Sequence, residues 1–325
     1  MIYVYEAETL ITIHSMNSRW LLFPLLVFLG GCCYGPSSPT IKLAYEAGFS
    51  ANDVVMSQYF YGWMILFVLV AGGFGLRLLH QKPSASPWTA LRILRMVATG
   101  AAIALVSVCY CFSLQSVPAS VSVILLFQFT WIGVLIQGLV ERKLPSRHTC
   151  GAVVFLILGT VLAAGLVGTD VPLTFDGVAF GMLSALFYAL YMFLLGRTEP
   201  EMHPLTRSFV IMSCSLVLLV CLFSPSFVLQ GTAFSGIWMY GIILGLFGCA
   251  LPMFLFSIGT PRVSIGAATI LSSSELPASI ICAVLILAEA VSWIQWVGVA
   301  LIFFGIAYPY LRQGDGSAAS VPAEI

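Results

Sequence analysis

Ten long apolar runs, separated by short polar or Pro- and Gly-containing joints, make up most of the chain. Each run is close to the roughly 20 residues that an α-helix needs to cross a bilayer. The pattern therefore predicts an all-α polytopic membrane protein with ten transmembrane helices, numbered span 1 to span 10 in chain order. The predicted spans are 20–41, 54–76, 92–113, 118–140, 148–167, 176–196, 205–226, 235–257, 265–288 and 291–311.

Composition supports a lipid environment. Of the 325 residues, 60% are hydrophobic and only 8% are charged, whereas about a quarter of the residues of a soluble domain are charged. The net charge is zero without any basic block, which indicates no nucleic-acid partner. The nine cysteines lie almost entirely in apolar runs and form no C-x-x-C pair, so they read as small core residues. We expect neither a metal site nor a cofactor.

The positive charges predict the orientation of the chain. With both termini in the cytoplasm, twelve of the thirteen Lys and Arg residues fall on the cytoplasmic side, and only Lys42 lies outside. The N-terminus has no basic n-region, so residues 1–18 are expected to be a short cytoplasmic extension and not a secretory signal. Residues 313–325 are expected to be a disordered cytoplasmic tail. We expect a multi-pass protein of the plasma membrane, which in a bacterium is the inner membrane.

Halving the chain reveals an internal repeat. Span 4 ends in Glu141 and span 9 in Glu289, and each is followed by a span with a pair of glycines. The predicted five-helix units are residues 19–167 and 168–312. Because five is an odd number, the second unit must be inverted, and inverted repeats typify secondary transporters with a site near the midplane. We also expect Glu141 and Glu289 to cap the helices that follow them.

Span 9 carries the strongest candidate for chemistry. Glu275 lies about 15 Å from either end of the span, and an ionisable residue at that depth is a functional-site hypothesis by default. Pro277 removes a backbone donor and is expected to weaken the helix there. Ser272 and Ser279 share the face of Glu275. We favour a coupling or substrate-binding role for Glu275 over the alternative of a protonated packing residue.

Spans 4 and 6 carry further substrate candidates. Gln128 and Trp131 occupy the region that corresponds to Glu275 in the repeat, where span 4 has neither an acid nor a proline. They either bind a polar substrate or hold helices together. Tyr188 and Tyr191 lie on one face of span 6, an arrangement as typical of a helix core as of a site.

Span 1 carries candidates for gating. Tyr34 precedes Pro36 and Pro39, which are expected to break the helix in its outer third. Lys42 and Glu46 follow, four residues apart, so they are placed to pair at the outer interface. The alternatives are a gate at this opening or a simple anchor for the helix end.

Several stretches together resemble a known family. They are YGPSSPTIKLAYEAGFS at 34–50, FGMLSALFYALYMFLLGR at 180–197 and SIGAATILSSSELPASIICAVLILAE at 264–289. In order and spacing they resemble the drug/metabolite transporter superfamily, EamA type, over residues 17–312. The resemblance implies ten spans in two units and the export or exchange of a small polar or amphipathic metabolite, such as an amino acid or drug-like compound. It also implies coupling to a proton, another cation or a substrate gradient.

Two other functional classes remain as alternatives. A membrane sensor or scaffold without transport would have the same composition. An intramembrane enzyme would need a His-containing motif at depth, yet the histidines lie in the N-terminal tail and the joints, at His14, His80, His148 and His203. No G-x-x-x-x-G-K-[ST] loop supports an ATP-driven pump. We therefore expect a secondary transporter, and not an enzyme, that works by alternating access around a cavity between the units.

Overall fold

A computed structural model describes residues 21–75, 89–165, 174–223, 227, 231–288 and 290–311. In these ranges every regular element is helical. Nine apolar segments are long enough to cross a membrane, and Arg147–Ala163 is a shorter apolar tenth. The predicted class, an all-α polytopic membrane protein with ten spans, is confirmed. The expected extension, the expected tail and Glu289 lie outside the described residues.

The helices follow the predicted order closely; spans 1, 4 and 9 are interrupted by short turns, and span 8 contains a π-helical turn. Their bounds are 21–33 and Ser37–Glu46 (span 1), Ala51–Gly75 (span 2), Ala90–Ser116 (span 3), Ala119–Leu126 and Phe129–Glu141 (span 4), Arg147–Ala163 (span 5), Phe175–Arg197 (span 6), Pro204–Phe223 (span 7), Trp238–Gly245, Leu246–Ala250 and Leu251–Gly259 (span 8), Ile265–Ser272 and Glu275–Leu287 (span 9), and Trp293–Leu311 (span 10). In span 8 the middle piece is a π-helical turn that continues the α-helix on both sides.

The contacts between spans follow the predicted repeat, and some equivalent spans pack against each other in antiparallel fashion. Span 5 packs on span 10 and span 4 on span 9, while the contact of span 3 with span 7 is mirrored by that of span 8 with span 2. Along spans 5 and 10, Gly151 lies against Tyr308 and Gly159 against Gly298. Residue numbers therefore rise along one helix as they fall along the other, as two inverted units require.

The interruptions of spans 4 and 9 occupy equivalent places. Phe129 and Glu275 begin the second half-helices 146 positions apart, and Arg142 and Ala288 end them in the left-handed region, again 146 positions apart. Pro277 lies in the first turn after the interruption in span 9, where a helix needs no backbone donor. The helix therefore breaks before Pro277, at Ser273–Ser274.

Spans 3, 6, 7 and 8 are joined at the end of the bundle where their arginines lie, here called the basic end. Arg207 of span 7 is fully buried. Its guanidinium donates to the carbonyl oxygens of Thr198 at 3.2 Å and Glu199 at 3.4 Å, and to that of Ser257 in span 8. The Glu199 carboxylate pairs with Arg92 of span 3. Arg207 thus satisfies carbonyls at the ends of two spans, as cations near helix C-termini do.

The predicted capping role of Glu141 is wrong. Span 5 is capped by Ser146, whose hydroxyl accepts from the backbone N–H of Thr149 at 3.1 Å. Glu141 instead accepts a hydrogen bond from Gln137, one turn earlier, at 2.9 Å. A serine directly before the helix reaches the free N–H groups without a detour, which explains why it takes the place expected for the glutamate.

Candidate functional site

Glu275 is the first residue of the second half-helix of span 9. Its side chain is half-buried, and its Oε2 atom is buried without a hydrogen-bond partner. Its position at a helix N-terminus favours a negative charge. No charged side chain of the described residues interacts with it. The carboxyl therefore has capacity for a proton, a cation or a donor group of a ligand.

Three tyrosines from three other spans lie within electrostatic range of this carboxyl. Tyr34 of span 1, Tyr110 of span 3 and Tyr188 of span 6 all interact electrostatically with Glu275. The Tyr188 hydroxyl is also buried; the Ser272 hydroxyl is its polar neighbour, but their geometry falls short of a full hydrogen bond. Phenol rings bring hydroxyl donors together with faces that attract cations. The cluster therefore draws on both units, with two tyrosines from the first unit and Glu275 and Tyr188 from the second.

Aromatic rings pack against the tyrosines of the cluster. Phe129 is fully buried, and its ring centroid lies 4.3 Å from that of Tyr188. Tyr191 packs edge-on against Tyr188, with centroids 6.1 Å apart. Of the two predicted tyrosines, Tyr188 thus lies beside Glu275, while Tyr191 supports it from the next turn.

The serines around the break differ in their roles. The hydroxyl of Ser272 donates to the carbonyl oxygen of Thr269 at 3.0 Å, and that of Ser274 to the carbonyl oxygen of Phe28 in span 1 at 2.7 Å. These bonds fix the interruption to its own helix and to span 1. Ser279 lies one turn beyond Glu275 and is half-buried.

Gln128 and Trp131 bond to each other and to their own span. The indole N–H of Trp131 donates to Gln128 Oε1 at 2.8 Å, and Gln128 Nε2 donates to the carbonyl oxygen of Ile124 at 2.9 Å. The residue equivalent to Glu275 is Phe129, and Gln128 is equivalent to Ser274. A substrate role for this pair stays a prediction.

The span 1 candidates divide between the break and the helix end. Tyr34 and Pro36 belong to the turn at 34–36, whereas Pro39 lies in the first turn of Ser37–Glu46. Lys42 and Glu46 are exposed in the last turns of that helix. The structure therefore brings Tyr34 to Glu275 and leaves the two charged residues at the surface.

Tyr110 is a member of the cluster that sequence reasoning missed. It stands between Cys109 and Cys111 in an apolar run, where a single tyrosine gives no signal of its own. No group of His, Cys, Asp or Glu side chains in the described ranges is arranged to hold a metal. The arrangement can bind a proton or a cationic group at the carboxyl and hydrogen-bond a polar ligand through the phenols.

Comparison with known proteins adds a family. Residues 176–310, which cover spans 6 to 10, match the model of the EamA-like transporter family. No curated protein matches the chain. Solved structures match in 29 chains, and one crystal structure aligns with a TM-score of 0.63 and 17% identity, over 89% of this chain and 97% of the other. That likeness shows the fold alone, while the family match confirms the resemblance over spans 6 to 10.

Proposed function

We propose that this EamA-like membrane transporter of the drug/metabolite transporter superfamily is a secondary active transporter that moves a small polar or amphipathic metabolite by alternating access. The observation that carries the proposal is the Glu275 carboxyl, half-buried at a helix break, with one oxygen buried and unpartnered. The basic end is taken to face the cytoplasm, because the Lys and Arg residues concentrate there.

The chemistry of the site supports coupling. An ionised carboxyl deep in a membrane protein is costly unless something neutralises it. A proton and a cationic substrate both neutralise it, and they compete for the same oxygens. Release of one is then favoured by binding of the other, which is the requirement for proton-coupled export or exchange.

The position of the site supports alternating access. Tyr34 and Tyr110 come from the first unit, and Tyr188 and Glu275 come from the second. A site assembled from two inverted units changes its access when one unit rocks against the other. The carboxyl at the break of span 9 would then face each side of the membrane in turn.

Flux measurements in proteoliposomes test the proposal. With a pH gradient imposed, wild-type protein is expected to drive the movement of at least one compound from a panel of amines, amino acids and other metabolites. The Glu275→Gln variant should bind or exchange with no dependence on the gradient, because its amide does not titrate. Glu141→Gln is the matched control, since that carboxyl is exposed at a span end.

Two results would count against the proposal. Folded wild-type protein that moves no compound of the panel under any gradient would refute transport. Gradient-driven flux that persists unchanged in Glu275→Gln would leave transport standing and refute the coupling role of Glu275.

A further inference from the structure

The π-turn of span 8 lies against span 2 through a polar contact. Leu246–Ala250 forms a π-helical turn within the helix, and Gln58 of span 2 donates from Nε2 to the carbonyl oxygen of Gly248 at 3.1 Å. A π-turn disturbs the regular backbone hydrogen bonding of a helix, and such turns are frequent at functional sites. Gln58 therefore marks an irregular and polar place in an otherwise apolar part of the bundle.

Ser37 faces the same turn. It is the first residue of the second half-helix of span 1 and is 7% exposed, and its hydroxyl is buried without a hydrogen-bond partner. A Cβ atom on Gly248 would lie 2.6 Å from Gln58 Nε2 and 3.0 Å from Ser37 Oγ. Glycine at 248 thus lets both polar side chains approach the turn. A buried hydroxyl without a partner is unfavourable unless a ligand or water satisfies it.

Tyr34 connects this polar place with the Glu275 cluster. Its phenol interacts electrostatically both with Glu275 and with Cys249 of the π-turn. Cys249 in turn interacts with Gln58. The break of span 1 also contacts the half-helix that Glu275 begins, since a Cβ atom on Gly35, the neighbour of Tyr34, would lie 3.0 Å from the carbonyl oxygen of Ala278 and 3.0 Å from Cys282 Sγ.

Among the described residues, the three helices around Ser37 carry no charged residue in their middle parts. Their charged residues lie toward their ends, at Lys42, Glu46, Asp53 and Arg262 in the described ranges. An uncharged hydroxyl or carbonyl group of a ligand suits Ser37 and Gln58, whereas a carboxylate would find no cation. The far end of the same ligand would meet Glu275.

We propose that Ser37, Gln58 and the π-turn form an uncharged subsite that binds a hydroxyl or carbonyl group of a substrate whose ammonium group lies at Glu275. The inference rests on the proposed role of Glu275 as the binding carboxyl, and it names the substrate class as an amine with a neutral polar group at its other end. Ser37 and Gln58 are the residues that determine specificity for that group.

Matched probes test this subsite. Purified protein is titrated calorimetrically with straight-chain amino alcohols, from propyl to octyl, and with n-alkylamines of the same lengths. At one length the amino alcohol is expected to bind about tenfold more tightly, the gain of one well-made hydrogen bond. Ser37→Ala and Gln58→Leu should each abolish that gain and leave alkylamine binding within about twofold, a small effect on this scale. Ser38→Ala, at the exposed neighbouring serine, should keep it.

Each alternative outcome has a defined meaning. No advantage of the hydroxyl at any length, or an advantage that survives both substitutions, overturns the subsite. Tighter binding of amino acids of matching length than of amino alcohols also overturns it, since it would require a cation there. Binding as expected without any flux in proteoliposomes refutes the transport function and keeps the subsite. Flux of other metabolites without binding of either probe supports the transport function and refutes the subsite. Thermal unfolding of each variant verifies that it is folded.

Discussion

Replacing Arg207 by Met should destabilise the protein by about 2–5 kcal/mol. The guanidinium is fully buried and donates to three backbone carbonyls, two at the end of span 6 and one in span 8. Measured side-chain hydrogen bonds in membrane proteins average about 0.6 kcal/mol and reach about 1.7 kcal/mol, so three average bonds give the lower end of this range and three of the strongest give its upper end. A hydrophobic side chain of similar volume does not offset the loss, because the carbonyls remain in place as unpaired acceptors.

Unfolding in mixed micelles with increasing SDS, followed by tryptophan fluorescence, measures this change. Arg197→Met is the matched control, because Arg197 is exposed at the same end and lies over the ring of Phe193, 4.2 Å from its centroid. Its loss should cost about 0.5–1 kcal/mol. Arg207→Lys should fall between, since an ammonium group lacks the fork that reaches two spans at once. If Arg207→Met unfolds as close to wild type as Arg197→Met does, the guanidinium does not hold spans 6 and 8 together.

Two further substitutions probe the packing of the repeats in the same assay. Gly159→Val should destabilise the protein by about 1–3 kcal/mol. A Cβ atom at this position would lie 2.8 Å from Ile302 and 2.9 Å from the carbonyl oxygen of Gly298. A variant as stable as wild type would contradict the close approach of spans 5 and 10. Pro277→Ala should change the free energy of unfolding by about 1 kcal/mol or less, because the proline lies in the first turn of its half-helix. A larger loss of stability would show that the proline itself maintains the break.

The spans could be predicted from the sequence because apolar length alone decides which segments cross a bilayer. The helix breaks were harder to place. A wheel drawn through residues 265–288 as one helix assumes that the backbone is continuous, but the turn at Ser273–Ser274 divides it. Serines can donate to carbonyls of the preceding turn, as Ser273 does to Thr269, so they interrupt a helix without the signal that proline gives.

The partners of Glu275 were only partly predictable. Tyr34 and Tyr188 stood out as polar aromatics beside a break or on a patterned face, and both lie at the carboxyl. Tyr110 did not, because a single polar residue in an apolar run becomes part of a site only through neighbours from other spans. Such neighbours depend on the tertiary packing of helices, which local sequence patterns do not contain.

Spans 4 and 9 of the two predicted units break at equivalent places and differ in the residue that follows the break. At equivalent breaks, 146 positions apart, the first unit presents Phe129 and the second presents Glu275. Phe129 packs on Tyr188, and Tyr188 in turn lies beside the carboxyl. Two carboxyls at these positions would repel each other in a medium where even one is costly. A single carboxyl at Glu275 instead limits the proposed coupling to one proton or one cationic group for each turnover. The first unit contributes the aromatic residue Phe129, which packs under Tyr188 next to that carboxyl.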